Sequence, residues 1–228
     1  MSHLLGRIGS ILFLVSTLSS CGIDSIAFLG SKVTLASSGP SSSVFLAPSV
    51  TEDNYLGVFL FYRIYASEVL AETDKNNVYN KQNVLNAVPG TIIESYLLSP
   101  GGLKYKKLTI DGDVPIPSLY KSLIPINTLV SIDFPTSTSV EPKITILKEA
   151  SATISYIISR SITGTTGSYL SFRDKALDGQ DDYLASTVDP DPNVDYIQFF
   201  AVTYGINQNS LQELYGDAVY IGRITLNL

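Results

Sequence analysis

The segment Tyr55-Leu-Gly-Val-Phe-Leu-Phe-Tyr-Arg-Ile-Tyr65 limits the possible folds more than any other part of the chain. One alternate set is Leu56, Val58, Leu60, Tyr62 and Ile64; the other includes Phe59 and Phe61; both faces are apolar up to Arg63. A strand with two apolar faces needs cover on both, and its backbone must be paired along both edges, because a buried unpaired amide costs ~1–3 kcal/mol. Sequence-distant strands must supply that pairing. Two segments suit the task. Tyr196-Ile-Gln-Phe-Phe-Ala-Val-Thr-Tyr204 is aromatic and β-branched, and Ala218 to Leu228 alternates, with Tyr220, Ile224 and Leu226 on one side and Arg223, Thr225 and Asn227 on the other. Both are expected to be neighbouring antiparallel strands of one sandwich and to pair or pack against the 55–65 strand. Shorter strands are predicted at Val44 to Ala47, Leu103 to Ile110, Thr128 to Phe134, Lys143 to Leu147 and Ala152 to Ser159.

Helical signals are few and fall between strong strands. Ser67 is placed to cap Glu68 to Thr73, and Val84, Leu85 and Val88 have helical spacing. Thr91-Ile-Ile-Glu94 fits a capping box ahead of Ser95 to Leu98, with Pro100-Gly101-Gly102 as the stop. Residues 67–102 therefore read as a partly helical insertion in a mainly antiparallel β-sandwich.

The N-terminus carries Arg7, an apolar run from Ile8 to Leu18, then Leu18-Ser19-Ser20-Cys21. A basic start, an apolar core and small residues before a cleavage point describe a secretion signal. The run is shorter than the ~20 residues a membrane-spanning helix needs. Leu18-Ser19-Ser20-Cys21 resembles the bacterial lipobox. That resemblance implies cleavage after residue 20 and a lipid on Cys21, and so attachment to a membrane of the bacterial cell envelope, the outer membrane being expected. The organisation expected is a signal peptide at 1–20, the lipidated Cys21 with a Gly- and Ser-rich tether to residue 43, and one domain over 44–228. Within the tether, Ile26 to Leu29 and Lys32 to Leu35 are apolar enough for a first strand.

Removing the signal changes the chemistry available. The chain has one His, one Met and one Cys and no Trp, and His3 and Met1 lie in the signal. A processed, lipidated chain thus has no imidazole and no free thiol. This excludes Ser-His-Asp and Cys-His catalysis and His/Cys metal or haem sites, so no cofactor is expected. Arg7 is the only Lys or Arg before residue 21 and no acid lies there, so the processed charge is 14 − 21 = −7. That balance offers no electrostatic footprint for nucleic acid.

Val44 to Tyr65 resembles the B-to-C region of fibronectin type III and other immunoglobulin-like domains: a short apolar strand, a Pro48-containing loop, then the aromatic strand. Residues 196–226 look like the closing F–G hairpin of such a domain. The core tryptophan usual in that fold is missing. The order of lipobox, Tyr55–Tyr65, Leu103-Lys-Tyr-Lys-Lys-Leu108, Tyr196–Tyr204 and Ala218-Val-Tyr-Ile-Gly222 also resembles uncharacterised lipoproteins of spirochaetes such as treponemes. That resemblance implies an envelope location and brings no activity.

Candidate sites are sparse. Residues 174–195 hold Asp174, Asp178, Asp181, Asp182, Asp189, Asp191 and Asp195. Asp189-Pro-Asp191-Pro-Asn193 has the alternate oxygen spacing that opens an EF-hand calcium loop, and Asp195 extends it. Val194 then stands where the turn glycine belongs and Phe200 where the closing glutamate belongs. A solvated acidic loop fits better than a tight Ca²⁺ site. Lys104, Lys106 and Lys107 suit either an anionic sugar or lipid, or an edge strand guarded against sheet-to-sheet pairing; the guarded edge is the reading adopted. Glu52-Asp53, Glu68, Glu72, Glu94, Asp111 and Asp113 leave a two-carboxylate glycan hydrolase open, without a motif to support it. Thr163-Gly-Thr-Thr-Gly167 lacks the lysine of a phosphate loop. Tyr169, Tyr183 and Tyr215, in segments read as loops, are the tyrosines best suited to contact a protein or glycan partner.

Overall fold

A computed structural model describes Leu29 and residues 33–47, 54–84, 89–111, 122–137, 139–148, 153–161, 170–176, 179–187, 190 and 193–227. In chain order the strands are β1 (Thr34–Ser38), β2 (Ser42–Ala47), β3 (Tyr55–Tyr65), β4 (Lys106–Lys107), β5 (Thr109–Asp111), β6 (Ile124–Pro125) and β7 (Thr128–Asp133). They continue as β8 (Lys143–Lys148), β9 (Thr153–Arg160), β10 (Leu170–Ser171), β11 (Tyr183–Leu184), β12 (Val194–Ile206) and β13 (Glu213–Asn227). Helix α1 (Glu68–Gln82) and the short α2 (Pro89–Ile92), which runs on as a π-helical turn over Ile93–Leu97, lie between β3 and β4.

The strands form two packed, mainly antiparallel sheets, the all-β sandwich that the sequence predicts. One sheet runs β1-β2-β7-β8-β9-β10, with β5 also on β9; the other runs β11-β3-β12-β13, with β4 and β6 also on β3. β3 is covered on both faces. Val58, Leu60, Tyr62 and Ile64 enter the core between the sheets with Phe45, Val130, Ile144, Phe199 and Ile224. Phe59, Phe61 and Tyr65 enter a second core beneath the helical insertion, with Ala71, Val78, Leu97, Phe200 and Val202. Its edges are paired as well. β12 lies antiparallel along one of them from Tyr196 opposite Tyr65 to Gly205 opposite Tyr55. The other edge is shared by β6 at Gly57–Val58, β4 at Phe61–Tyr62 and β11, parallel, at Ile64–Tyr65.

Two bulges change which side chains face inward. Tyr204 stands opposite Gly57 and Gly205 opposite Tyr55, so Leu56 is skipped and left 39 % exposed, outside the inward set in which the alternation placed it. On β13, Phe199 faces Gly222 and Phe200 faces Tyr220, so Ile221 is the extra residue. Gly222 adopts φ +145, a conformation few L side chains reach. The bulge shifts the period by one. Ile221, Ile224 and Leu226 enter the core between the sheets, while Tyr220 packs on the second core, not with Ile224 and Leu226 as the alternation suggests.

The order β3-β12-β13 is that of strands C, F and G of an immunoglobulin-type sandwich, and β2 and β3 lie in different sheets as B and C do. The opposite sheet departs from that plan. It runs consecutively from β2 through β7, β8 and β9, whereas the order A-B-E-D puts the later strand beside B.

The insertion covers the second core and also caps an edge. Among the described residues β13 has no strand beyond it, which would leave its amides open to another chain. From α1, Gln82 accepts from the Ala218 amide at 2.6 Å and donates to its carbonyl at 3.1 Å, and the Tyr79 hydroxyl accepts from the Tyr220 amide at 3.2 Å. Farther along, Ser43 donates to the Ile221 carbonyl and the Thr225 amide reaches Pro40 O at 2.8 Å. Helix α1 runs beyond the expected Thr73. Ser67 stands at its N-cap without a side-chain capping bond. The next helix starts at Pro89, so the presumed capping box at Thr91–Glu94 falls inside it. At the other end of the chain, Leu29 and Val33 are buried, and β1 and β2 both begin before residue 44. The folded domain therefore reaches back into the segment expected to be tether.

Candidate functional site

Tyr196, Arg223 and Thr225 share one face of the β12–β13 ladder, because Tyr196 stands opposite Thr225 and Gln198 opposite Arg223. Past the bulge Tyr220 joins them. Helix α1 crosses this face, and the i, i+4 spacing of Glu68 and Glu72 turns both carboxylates to the same side. Arg223 meets both: Nη2 donates to Glu68, and Nη1 lies 3.4 Å from Glu72 Oε2. Lys75 Nζ is 2.5 Å from Glu72 Oε1 and stands 5.0 Å over the Tyr220 ring. Beside this cluster a groove of about 410 Å³ opens between the start of α1, the β1–β2 turn and the ends of β12 and β13. Glu68, Arg223, Tyr196, Tyr220, Ser38 and Thr225 line it.

The electrostatics of the groove favour holding over reacting. Two carboxylates are balanced by two cations. The hydrogen bond from Lys75 pulls the Glu72 carboxyl below its usual range against a smaller opposing effect of burial, and Arg223 adds to the pull. A glycosidase needs the reverse in its acid, a carboxyl pushed up so that it keeps a proton. Among the described residues the carboxyls pushed up are Asp74, Asp195 and Asp217, each by burial, and they lie on α1, at the start of β12 and within β13 respectively, outside the groove lining. They form no facing pair.

A second cluster is fully buried between the sheets. Arg160, at the end of β9, donates from Nε to Asp182 Oδ2 at 2.9 Å and from Nη2 to Oδ1 at 2.7 Å. Nη2 also reaches Gln180 Oε1 at 2.5 Å, and Nη1 reaches the Asp174 carbonyl at 3.3 Å. The Tyr62 hydroxyl donates to Asp182 Oδ2 at 3.0 Å and accepts from the Ser161 amide at 2.6 Å. Nothing in the sequence marked this pair, because its members are 22 residues apart with no spacing to link them.

This accounts for much of the acid-rich segment. Asp182 and Asp195 are buried, and Asp181 lies 2.5 Å from Lys106. These three aspartates are built into the fold and are not a solvated loop. Among the described residues no group of three His, Cys, Asp or Glu could hold a metal. Asp189 and Asp191 lie outside the described residues, as do Cys21, Tyr169, Asp113, Glu52 and Asp53. Asn193 is exposed just before β12, while Asp195 is 2 % exposed and takes a hydrogen bond from Tyr183. Tyr183 is thus half-buried in β11. Tyr215 lies in β13, not in a loop; its hydroxyl donates to Glu213 Oε2 at 2.9 Å and its ring packs 5.4 Å from that of Tyr204. Of the basic cluster, Lys106 and Lys107 form β4 against β3, and Lys107 stands over the Phe59 ring at 3.6 Å with its pKa lowered by burial.

Compared with known proteins, the chain matches no family model, no curated protein and no solved structure.

Proposed function

We propose that the chain is a lipid-anchored cell-envelope protein whose sandwich is a binding module, with the groove beside Arg223 as its ligand site. The observation that carries the binding reading is the state of the two carboxylates on Arg223, Glu68 in the groove and Glu72 beside it. Glu68 and Glu72 both meet Arg223, and the hydrogen bond from Lys75 lowers the Glu72 pKa, an arrangement that suits accepting hydrogen bonds from a ligand better than donating a proton to one. Two tyrosines and two hydroxyl side chains beside those charges suit a polar partner, a glycan or a peptide. The anchor rests on Leu18-Ser19-Ser20-Cys21 and on its likeness to the lipobox of spirochaete and other bacterial lipoproteins. One lipid chain gives marginal attachment and two give stable attachment, which suits Cys21 as the sole anchor once it carries a diacylglyceryl group.

Two measurements test this. Cys21→Ala should abolish partitioning into the detergent phase and block processing of the precursor; unchanged partitioning would remove the anchor. Incubated with insoluble cell-wall glycans, the purified protein should release no reducing ends. Release that disappears in Glu68→Gln/Glu72→Gln would make the groove a hydrolase site.

A further inference from the structure

The two ends of the sandwich differ in what they expose. Leu29 is 2 % exposed and packs beside Gly205 and Gly216, so the chain enters next to the β12–β13 turn, Asn207 to Gln212. At this same end β2 finishes and β3 starts, with Leu129 opposite Leu147 at the ends of β7 and β8. Leu129 and Leu147 are each 38 % exposed and Leu56 is 39 % exposed. Leu211, in the turn, is 77 % exposed, more than any other large apolar side chain described. Its φ of +57 is the left-handed conformation that favours Gly or Asn. The turn is closed by Leu211 N to Asn207 O at 2.7 Å and Asn207 N to Gln212 O at 2.9 Å. Its other side chains, Asn207, Gln208, Asn209, Ser210 and Gln212, are uncharged. One residue thus carries both backbone strain and exposure, and burial within the domain offsets neither.

We propose that this end faces the membrane and that Leu211 enters the headgroup region of the bilayer that holds the Cys21 lipid. The inference rests on the lipid-anchor reading and adds an orientation to it. Cys21 is eight residues before Leu29, a reach of at most ~29 Å when fully extended. β13, with 15 residues, spans ~50 Å from the β12–β13 turn to the opposite end. The tether is shorter than the domain, so the entry end is the one held against the bilayer. An uncharged tip enters the interface without desolvating an ion. The acidic balance of the processed chain, 14 − 21 = −7, makes zwitterionic headgroups the matching surface. The groove lies at the far end, by the β1–β2 turn and Thr225, and so points away from the membrane toward a partner.

The test uses the full lipidated protein in phosphatidylcholine vesicles. With Cys21 blocked by lipid, an introduced cysteine is the only thiol. A fluorophore is placed at Asn209→Cys, in the turn, or at Ser139→Cys, in the β7–β8 connection at the opposite end. Lipid-borne nitroxide should quench the probe at 209 at least threefold more than the probe at 139. Adding Leu211→Gly should remove most of that difference while leaving the melting temperature unchanged or higher. Equal quenching at both positions, or quenching at 209 that ignores Leu211→Gly, overturns the orientation; if the protein still floats with the vesicles, the anchor stands. A protein that does not float overturns both.

Discussion

Two guanidinium groups are buried on opposite faces of β3, and they are held in different ways. Arg160, between the sheets, is bonded at every nitrogen: Nε and Nη2 grip both oxygens of Asp182, Nη2 also reaches Gln180, and Nη1 reaches the Asp174 carbonyl. Arg63, under the helical insertion, is not. Nη1 donates to the Leu103 carbonyl and lies 3.5 Å from Asp74 Oδ2, while Nε has no partner among the described residues. Opposite Arg63 on β12, Gln198 donates to the Tyr105 hydroxyl at 2.6 Å, and its own Oε1 finds no donor among the described residues. The hydroxyls of Tyr65 and Tyr105, 2.9 Å apart, complete the network, and Tyr65 donates to Asp74 at 3.0 Å. The charges show the same contrast. Burial works against the charge on Arg160, yet Asp182 holds its pKa above the usual value. At Asp74 burial prevails over the bonds from Tyr65 and Arg63, and the carboxyl is pushed up. A bidentate, fully bonded pair offsets its desolvation; a single long contact does not.

The largest effect should come from breaking the bidentate pair. Asp182→Ala leaves Arg160 charged, buried and unpaired, and also strips the Tyr62 hydroxyl of its acceptor. A loss of about 3–5 kcal/mol in denaturant unfolding is expected. The comparison sharpens when both partners are replaced by apolar residues of similar volume. Arg63→Met/Asp74→Leu should stay within about 1–2 kcal/mol of wild type, because it removes a poorly compensated pair. Arg160→Met/Asp182→Leu should cost clearly more, because Tyr62, Gln180 and the Asp174 carbonyl lose bonds they now make. Equal losses in the two double variants would mean that the geometry of the pairs does not set their worth.

The same two regions divide what the sequence made legible. The core between the sheets was readable because long runs of alternation in β3 and β12 recur at matched length, and the pairing of Tyr55–Tyr65 with Tyr196–Tyr204 follows from two-sided burial alone. Bulges were not readable. Leu56 and Tyr220 are apolar on either assignment, and only the register across β12 shows which way they turn. The region under the insertion was harder because α1 buries just Ala71, Asp74 and Val78, one of them an acid, so its helical period carries little apolar signal. The groove was hidden for the same reason. Glu68 and Glu72 were visible as two acids among many, and Arg223 as a polar residue on an outward face; only the crossing of α1 over β13 brings them together. The acidic run looked like surface because its partners, Arg160 and Lys106, come from strands far from it in sequence.

The smallest effect expected is a pH dependence that belongs to the looser site. Because burial raises the Asp74 carboxyl above its ordinary value of 3.8, the folded chain keeps a proton there that the unfolded chain has already released. In that interval the folded state binds more protons, so stability falls as pH rises from the unfolded pKa through the folded one. Asp74→Asn keeps an acceptor for Tyr65 but cannot titrate. The variant should therefore lose the Asp74 share of the slope, and its stability relative to wild type should improve as pH rises from the unfolded pKa of 3.8 through the raised folded one and level off above it. Unfolding free energies of the two proteins across that range give the comparison. Parallel curves, or a variant that falls behind as pH rises, would show that Arg63 compensates Asp74 after all and that the two buried guanidinium groups do equal service.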